Sequence, residues 1–355
     1  MYFYFFSSIL FFLLFFFVLG NKYSSSAFIQ NNWVWEKHTE DGMSHDVRFS
    51  VNPFTHLNGY INENRYFAFQ TRQSHALKPD FLYQIPIIGR GFIEYEKIGK
   101  KVSYFSSNQE ILWQKDFMSY PKPSYEGNLI LLASGDNNRV FLSDLNGNWI
   151  GEKVIDGRFL SDYSFAQNNG GAILLFSGGE VVRLNEKGNR VFYKDFKKKT
   201  LSFYKSIAIS PNGQFSAIHY LNEDKDFILL LDQAGDEVAT LLLHKVYPHK
   251  VFMAIGNLGN LQVNLPDSIF LYEKSGKLLR HIQKKKRSDI YQLSFHTGEY
   301  FVASNVEDIY FFDNDANILK IQKGISFPVR AIPSKSSKEI FLETKNEIFQ
   351  FSLFN

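Results

Sequence analysis

A two-hairpin unit recurs along most of this chain, and no other feature narrows its possible folds as far. Short turn signals separate pairs of apolar, β-rich runs: Gly89, Glu126-Gly127, Asn169-Gly170, Pro211-Asn212-Gly213, Leu258-Gly259, Thr297-Gly298 and Ser336-Ser337. From Gly127 onward these turns stand 43, 43, 46, 39 and 39 residues apart. A second series follows each of the first by about 17 to 22 residues: Asn108-Gln109, Asn146-Gly147, Lys187-Gly188, Ala234-Gly235, Ser275-Gly276 and Asp315-Ala316. Asn-Gly and related pairs supply the left-handed backbone of tight hairpins, so each unit reads as four antiparallel strands.

Such a period fits both a propeller blade and a helical solenoid. The apolar spacing decides between them. Phe141-Leu142, Val181-Val182, Ile228 to Leu231, Ile269-Phe270-Leu271 and Ile309 to Phe312 are short β-branched or aromatic runs bounded by turns. Runs of that kind suit strands buried on both faces, as between neighbouring blades. The expected fold is therefore all-β, a single β-propeller. Seven inner turns favour seven four-stranded blades, and eight result if residues 45–80 form a complete blade. The last repeat stops after its third strand, Ile348 to Leu353. An N-terminal strand is expected to close the ring and remove the open edges, either Trp33-Val34-Trp35 or Arg65 to Gln70.

At several of these residues the chain resembles known propeller families. Ser210-Pro211-Asn212-Gly213-Gln214-Phe215 is similar to the Ser-Pro-Asp-Gly hairpin of WD40-like and TolB-like blades, and Phe295-His296-Thr297-Gly298-Glu299-Tyr300 is a weaker copy. Leu231-Asp232, Phe312-Asp313 and Ser143-Asp144 stand where WD40 blades carry Trp-Asp, while the Gly-His dipeptide of those repeats is missing. Asn108 to Phe117 resembles the Thr-Gly-x-x-x-Trp turn of pyrroloquinoline-quinone-type blades. The resemblance covers about residues 81–355 and implies an architecture, not an activity. Quinone-type dehydrogenases use a vicinal cysteine pair, and this chain has no cysteine, so no quinone and no other cofactor is expected.

Upstream of the repeats lies a segment of a different kind. Met1 to Leu19 is apolar except for Ser7 and Ser8, and as a helix it would span roughly 28 Å, close to a bilayer core. No amphipathic face argues for a core helix. Val18 and Gly20 would permit signal cleavage before the polar stretch Asn21 to Ser26, whereas the lack of an N-terminal Lys or Arg and the length of the run favour an uncleaved anchor. Both readings put the body outside the cytoplasm, in the periplasm or cell envelope. The expected organisation is residues 1–20 as signal peptide or membrane anchor and 21–30 as polar linker. Residues 31–80 would supply a closing strand or an irregular blade, and residues 81–355 the propeller repeats.

Composition excludes more than it suggests. Lys and Arg number 39 against 36 Asp and Glu, so bulk charge gives no nucleic-acid footprint. Without cysteine there is no disulfide, thiolate metal site, cysteine nucleophile or lipid-modified cysteine. His244 and His249 have no third ligand nearby in sequence. Asp313-x-Asp315-x-Asn317 starts like a calcium loop but lacks its later ligands, and it reads, like Asp144-x-Asn146, as a polar turn. No G-x-S-x-G elbow occurs. Gly178-Gly179 and Gly89-Arg90-Gly91 precede no helix and read as turns.

Two surface features remain. Lys197-Lys198-Lys199 and Lys284-Lys285-Lys286-Arg287 fall at the same place in two repeats, on linkers leaving a fourth strand. They read as solvated loops or as one basic rim facing anionic lipid or an acidic partner. Seven residues before successive inner turns stand Tyr120, Tyr163, Ser206, Phe252, Tyr291 and Arg330. A Tyr-rich ring with one Arg has the composition of an interaction surface, although packing accounts for it as well. The expected function is a non-catalytic, extracytoplasmic scaffold that binds protein. A sensor or hydrolase with a site in the central channel is the alternative, and it would need carboxylates or histidines converging at one mouth.

Overall fold

In the computed structural model the description covers residues 27–36 and 57–354, interrupted at 58, 63, 70–72, 87, 117–118, 153, 168–169, 197–201, 288–292, 326 and 328. These residues form eight antiparallel sheets arranged as a β-propeller, so the chain has eight blades where seven were expected. The additional blade 1 consists of Gly59–Asn62, Arg65–Ala68 and Gln73–Ala76. Its first turn joins Asn62 to Arg65 without a glycine, and so escaped the glycine-marked series. Among the described residues it has three strands and the other blades have four.

Blades 2 to 7 start at Phe81, Ser119, Leu160, Ser202, Phe252 and Ser294. Each contributes four consecutive strands. Blade 8 combines Arg330–Pro333, Glu339–Glu343 and Glu347–Phe354 with Phe28–Glu36. Phe28 lies opposite Phe354 and Trp35 opposite Ile348. Arg65–Ala68, the other segment suited to that edge, is instead the middle strand of blade 1.

Eight apolar clusters hold the ring, one at each junction. Leu131, Leu142, Leu174 and Phe176, for example, join blades 3 and 4. Ile340, Leu342, Phe351 and Phe311 join blades 7 and 8, and Trp35, Tyr60, Phe67 and Phe341 join blades 8 and 1. Second strands such as Ile130–Ser134 and Ala172–Phe176 are buried at every residue. Fourth strands such as Arg190–Asp195 bury only alternate positions. This gradient explains the continuous inner runs and the mixed outer strands of the sequence.

Four of the third-to-fourth turns, in blades 3, 4, 5 and 7, share one mechanism. Asp144, Asn185, Asp232 and Asp313 each accept, through Oδ1, the backbone amides two and four residues on. Gly147, Gly188 and Gly235 then take a positive φ, and in blade 7 Ala316 does so at 65°. Asp144 and Asp313 therefore spend a carboxylate oxygen on their own turns. The turns also clasp neighbouring blades. Trp113 donates Nε1–H to Leu145 O at 2.9 Å. A Cβ on Gly147 would lie 2.7 Å from the Trp113 ring, so only glycine fits there.

Antiparallel strands give the disc two chemically different faces. Blade-to-blade loops and second-to-third turns emerge on one side, called here the entry face; the remaining turns emerge on the far face. First strands of adjacent blades contact one another, which makes them the innermost.

Candidate interaction face

The far face is stitched together by polar side chains. Buried Arg183 donates to Gly170 O of its own blade and, at 3.2 Å, to Gly213 O of the next. Burial holds its guanidinium down to about 10. Asn212 N–H donates to Asn257 Oδ1 at 3.0 Å, and Asn257 Nδ2 to Gly298 O at 3.1 Å. Gln167 Nε2, in blade 4, reaches His296 O in blade 7. These links tie inner turns to one another across and around the axis, leaving their backbone groups satisfied.

Toward the entry face a buried polar network sits between blades 5 and 6. Lys205 Nζ donates to Asp226 Oδ1 and to Tyr247 O, both at 2.6 Å. Tyr247 N–H donates to Asp226 Oδ2 at 2.6 Å. His219 Nδ1 accepts Val251 N–H at 3.3 Å, and its Nε2 faces Asp226 Oδ2 at 3.2 Å. Burial outweighs the nearby carboxylate and lowers the His219 pKa, so the ring is neutral near pH 7. Burial opposes ionisation of Asp226, but its donors more than offset this and lower its pKa.

An acid–lysine pair recurs at this level in three successive blades. Lys205 pairs with Asp226 at 2.6 Å, Lys245 with Asp267, and Lys286 with Glu307 at 2.5 Å. The acid follows its lysine by 21 or 22 residues each time. Asp267 is held down to about 2 by Lys245 and its own hydrogen bonds, against the effect of burial.

The basic run at residues 284–287 is consequently not a uniform cationic rim. Lys284 is buried, not solvated, and donates Nζ–H to Leu265 O at 2.5 Å. Lys286 is engaged by Glu307, while Lys285 and Arg287 are exposed. Lys197, Lys198, Lys199 and Tyr291 lie outside the described residues.

Burial lowers the Lys284 pKa from 10.5 to about 8. A lysine whose folded pKa lies below its unfolded value binds more protons when unfolded. Lys284 therefore makes stability rise with pH between about 8 and 10.5. Lys284→Met is expected to flatten that rise in denaturant midpoints measured across this range. An unchanged rise would assign it to another group.

Of the phased positions, Tyr120, Tyr163, Ser206, Phe252 and Arg330 lie on the first strands of their blades, and their side chains are engaged differently. Tyr120 and Tyr163 occupy first strands of adjacent blades 3 and 4 and remain half-buried. Tyr120 packs edge-on against Tyr95 at 6.3 Å and donates its hydroxyl to Lys97 O at 3.3 Å. Tyr163 lies beneath Lys122 Nζ, 5.9 Å from the ring centroid. Lys122 is half-buried, and burial lowers its pKa. Ser206 is buried and donates to Val251 O at 3.1 Å. Arg330, in blade 8, grips Glu343 Oε2 through Nε at 2.7 Å and Nη2 at 2.6 Å. Tyr60 OH donates to the other oxygen, Oε1. Arg330 and Glu343 line a cleft of about 570 Å³ with Tyr60, Ile61 and Lys345.

Residues outside the sequence-based list complete this face. Ile98 is 88% exposed on the second-to-third turn of blade 2, between Lys97 and Lys100. Leu82, Phe159, Phe203 and Val246 are exposed on entry-face loops or at the starts of first strands. On the far face, Leu258 is exposed on a first-to-second turn and Trp149 just after a third-to-fourth turn. Hydropathy alone does not separate Ile98 from a core isoleucine. The legible signal is its place in a Lys-Ile-Gly-Lys-Lys turn. No group of three His, Asp or Glu side chains suited to a metal occurs among the described residues.

Comparison with known proteins adds to the fold and not to the activity. No protein-family model and no curated protein matches the chain. Among solved structures it is similar to the Dos1 propeller, with a TM-score of 0.57 at 11% identity, covering 81% of this chain and 85% of that one. It is also similar to Hsv2 of Kluyvelomyces marxianus, with a TM-score of 0.51 at 10% identity, covering 76% and 93%.

Proposed function

We propose that this eight-bladed propeller is a non-catalytic scaffold that binds a protein partner on its entry face. In this reading the apolar N-terminal segment attaches it to a membrane and the propeller lies on the extracytoplasmic side. The carrying observation is the mixture of exposed apolar and cationic side chains on the entry-face turns and loops. Leu82, Ile98, Phe159, Phe203 and Val246 stand on entry-face segments, interleaved with Lys97, Lys100 and Lys245. Exposed apolar groups amid cationic ones provide burial at the centre of a contact and charge at its rim. Tyr120, Tyr163 and Lys122 extend the same surface toward the axis, and Arg330, Glu343 and Lys345 add a polar cleft beside blade 8. The stitched far face spends its polar groups on holding the blades.

Site-specific photocrosslinking in cells tests the assignment, with the probe at Ile98 or, on the far face, at Leu258. A discrete protein adduct is expected from position 98, reduced by Phe203→Ser and Tyr120→Ala, and absent from position 258. The same adduct from both positions, or none from 98, overturns the entry-face assignment.

A further inference from the structure

The fourth strands carry a second apolar pattern, separate from the entry face. At or near the far-face end of each stands an exposed apolar side chain, in blades 2 to 7 two or three residues beyond the positive-φ residue of the third-to-fourth turn. These are Ile111, Trp149, Val191, Val238, Leu278 and Ile318 in blades 2 to 7, and Phe28 in blade 8. Ile111, Leu278 and Ile318 pair with the last residue of their third strands, and Val191 and Val238 stand one residue beyond that register. Phe28 pairs likewise with Phe354 at the end of the third strand of blade 8. Such near-equivalent positions in successive blades are related by the propeller axis. They therefore lie close to one plane, at the perimeter nearest the far face.

Phe28 marks where the described chain begins, and it lies on this perimeter. It stacks on Phe354 with ring centroids 5.5 Å apart, and both rings are exposed. The apolar run ends at Leu19. The eight residues from Gly20 to Ala27 reach at most roughly 27 Å when extended. The end of the run is thus tethered within that reach of Phe28 on the apolar rim.

We infer that the far-face rim rests in the interfacial zone of a lipid bilayer, with the propeller axis roughly along the membrane normal and the entry face turned outward. This rests on the membrane attachment proposed above and adds which face meets the lipid. A ring of apolar side chains in one plane suits a flat apolar boundary, whereas a protein partner would cover one sector. The turns and rim at this face carry both signs: Asp144, Asp232, Asp313 and Asp315 stand among Lys187, Arg190, Lys274 and Lys277, Lys194 pairs with Asp236 at 3.0 Å, and Lys115 lies 3.8 Å over the Trp149 ring. The surface indicated is accordingly zwitterionic lipid, whose headgroups also carry both signs.

Trp149 is a built-in reporter. It is 55% exposed, whereas Trp35 and Trp113 are buried. Full-length protein would be reconstituted into phosphatidylcholine vesicles with and without nitroxide on the upper acyl chain. Trp149 emission is obtained by difference from Trp149→Phe. In the Trp149→Phe background, Leu278→Trp and Ile318→Trp report on the rim and Ile98→Trp on the entry face. The nitroxide is expected to quench positions 149, 278 and 318 and to spare 98. Protein that floats with vesicles but shows equal quenching at all four positions, or more at 98, overturns the orientation and leaves membrane attachment standing. Protein that does not float overturns both. The four sites are exposed, and circular dichroism of each variant verifies folding independently of quenching.

Discussion

Trp35→Ala is expected to remove about 3–5 kcal/mol of unfolding free energy, the range for truncating a large core aromatic. The ring is 1% exposed. It meets Tyr60, Phe67 and Phe69 edge-on, with centroids 5.3, 5.7 and 5.2 Å away. Those three aromatics belong to blade 1 or the residue following its middle strand, whereas Trp35 lies on the outermost strand of blade 8. Truncation therefore opens a cavity at the junction of the chain's first and last sheets. Such edge-to-face pairs also add roughly 0.5–1.5 kcal/mol each beyond area. Denaturant unfolding gives the total, and hydrogen exchange should show protection lost first at Tyr66 and Phe67. A loss below about 1 kcal/mol, as at surface sites, would mean that the N-terminal strand does not brace this junction.

Asp226→Ala is expected to be comparably damaging, by about 3–5 kcal/mol, because it strands a buried cation. Lys205 keeps only Tyr247 O for its ammonium, and Tyr247 N–H loses its acceptor. The side chain of Lys205 is 12% exposed and that of Asp226 is fully buried. Replacing both, as Lys205→Met with Asp226→Leu, should recover much of the loss, since an apolar pair leaves no unpaired charge. The double-mutant cycle is the measurement, and additivity within about 0.5 kcal/mol would show that the pair is not coupled. The pH dependence has a definite sign. Asp226 has a folded pKa below its unfolded value, so its contribution is present above about pH 4 and lost as pH falls through the folded value. Asp267, held to about 2, extends the same acid-side loss downward to that pH.

Much of the blade pattern was legible because hairpin chemistry is local. Asp232-x-x-Gly235 specifies its turn through a carboxylate accepting amides two and four residues away and a glycine at positive φ. Neither requirement depends on the rest of the fold. The same locality explains the count of seven. Blade 1 turns between Asn62 and Arg65 with neither the glycine nor the paired serines that mark the other first-to-second turns, so a reading of those signals passes over it. The bulge that follows the turn, between Leu230 and Leu231 or Phe311 and Phe312, likewise leaves no residue signature of its own.

The candidate surface was legible only in part. Tyr120 and Tyr163 fall on adjacent first strands because both keep the repeat phase. Lys284 keeps the phase of a surface loop too, yet its ammonium is drawn onto Leu265 O. A run of four cationic residues carries no information about which of them a neighbouring blade covers.

By itself the sequence determined the four-stranded unit, its turns and the polarity gradient from inner to outer strands, since these follow from hydrogen bonds and hydropathy within about forty residues. Only the tertiary structure decided the eight blades, the pairing of Phe28–Glu36 with the final strand and the polar links that stitch the inner turns of the far face. Those depend on contacts between residues separated by more than a hundred positions, such as Trp35 with Ile348 or Gln167 with His296. No local periodicity encodes such contacts, because they form only when sheets pack against one another around a common axis.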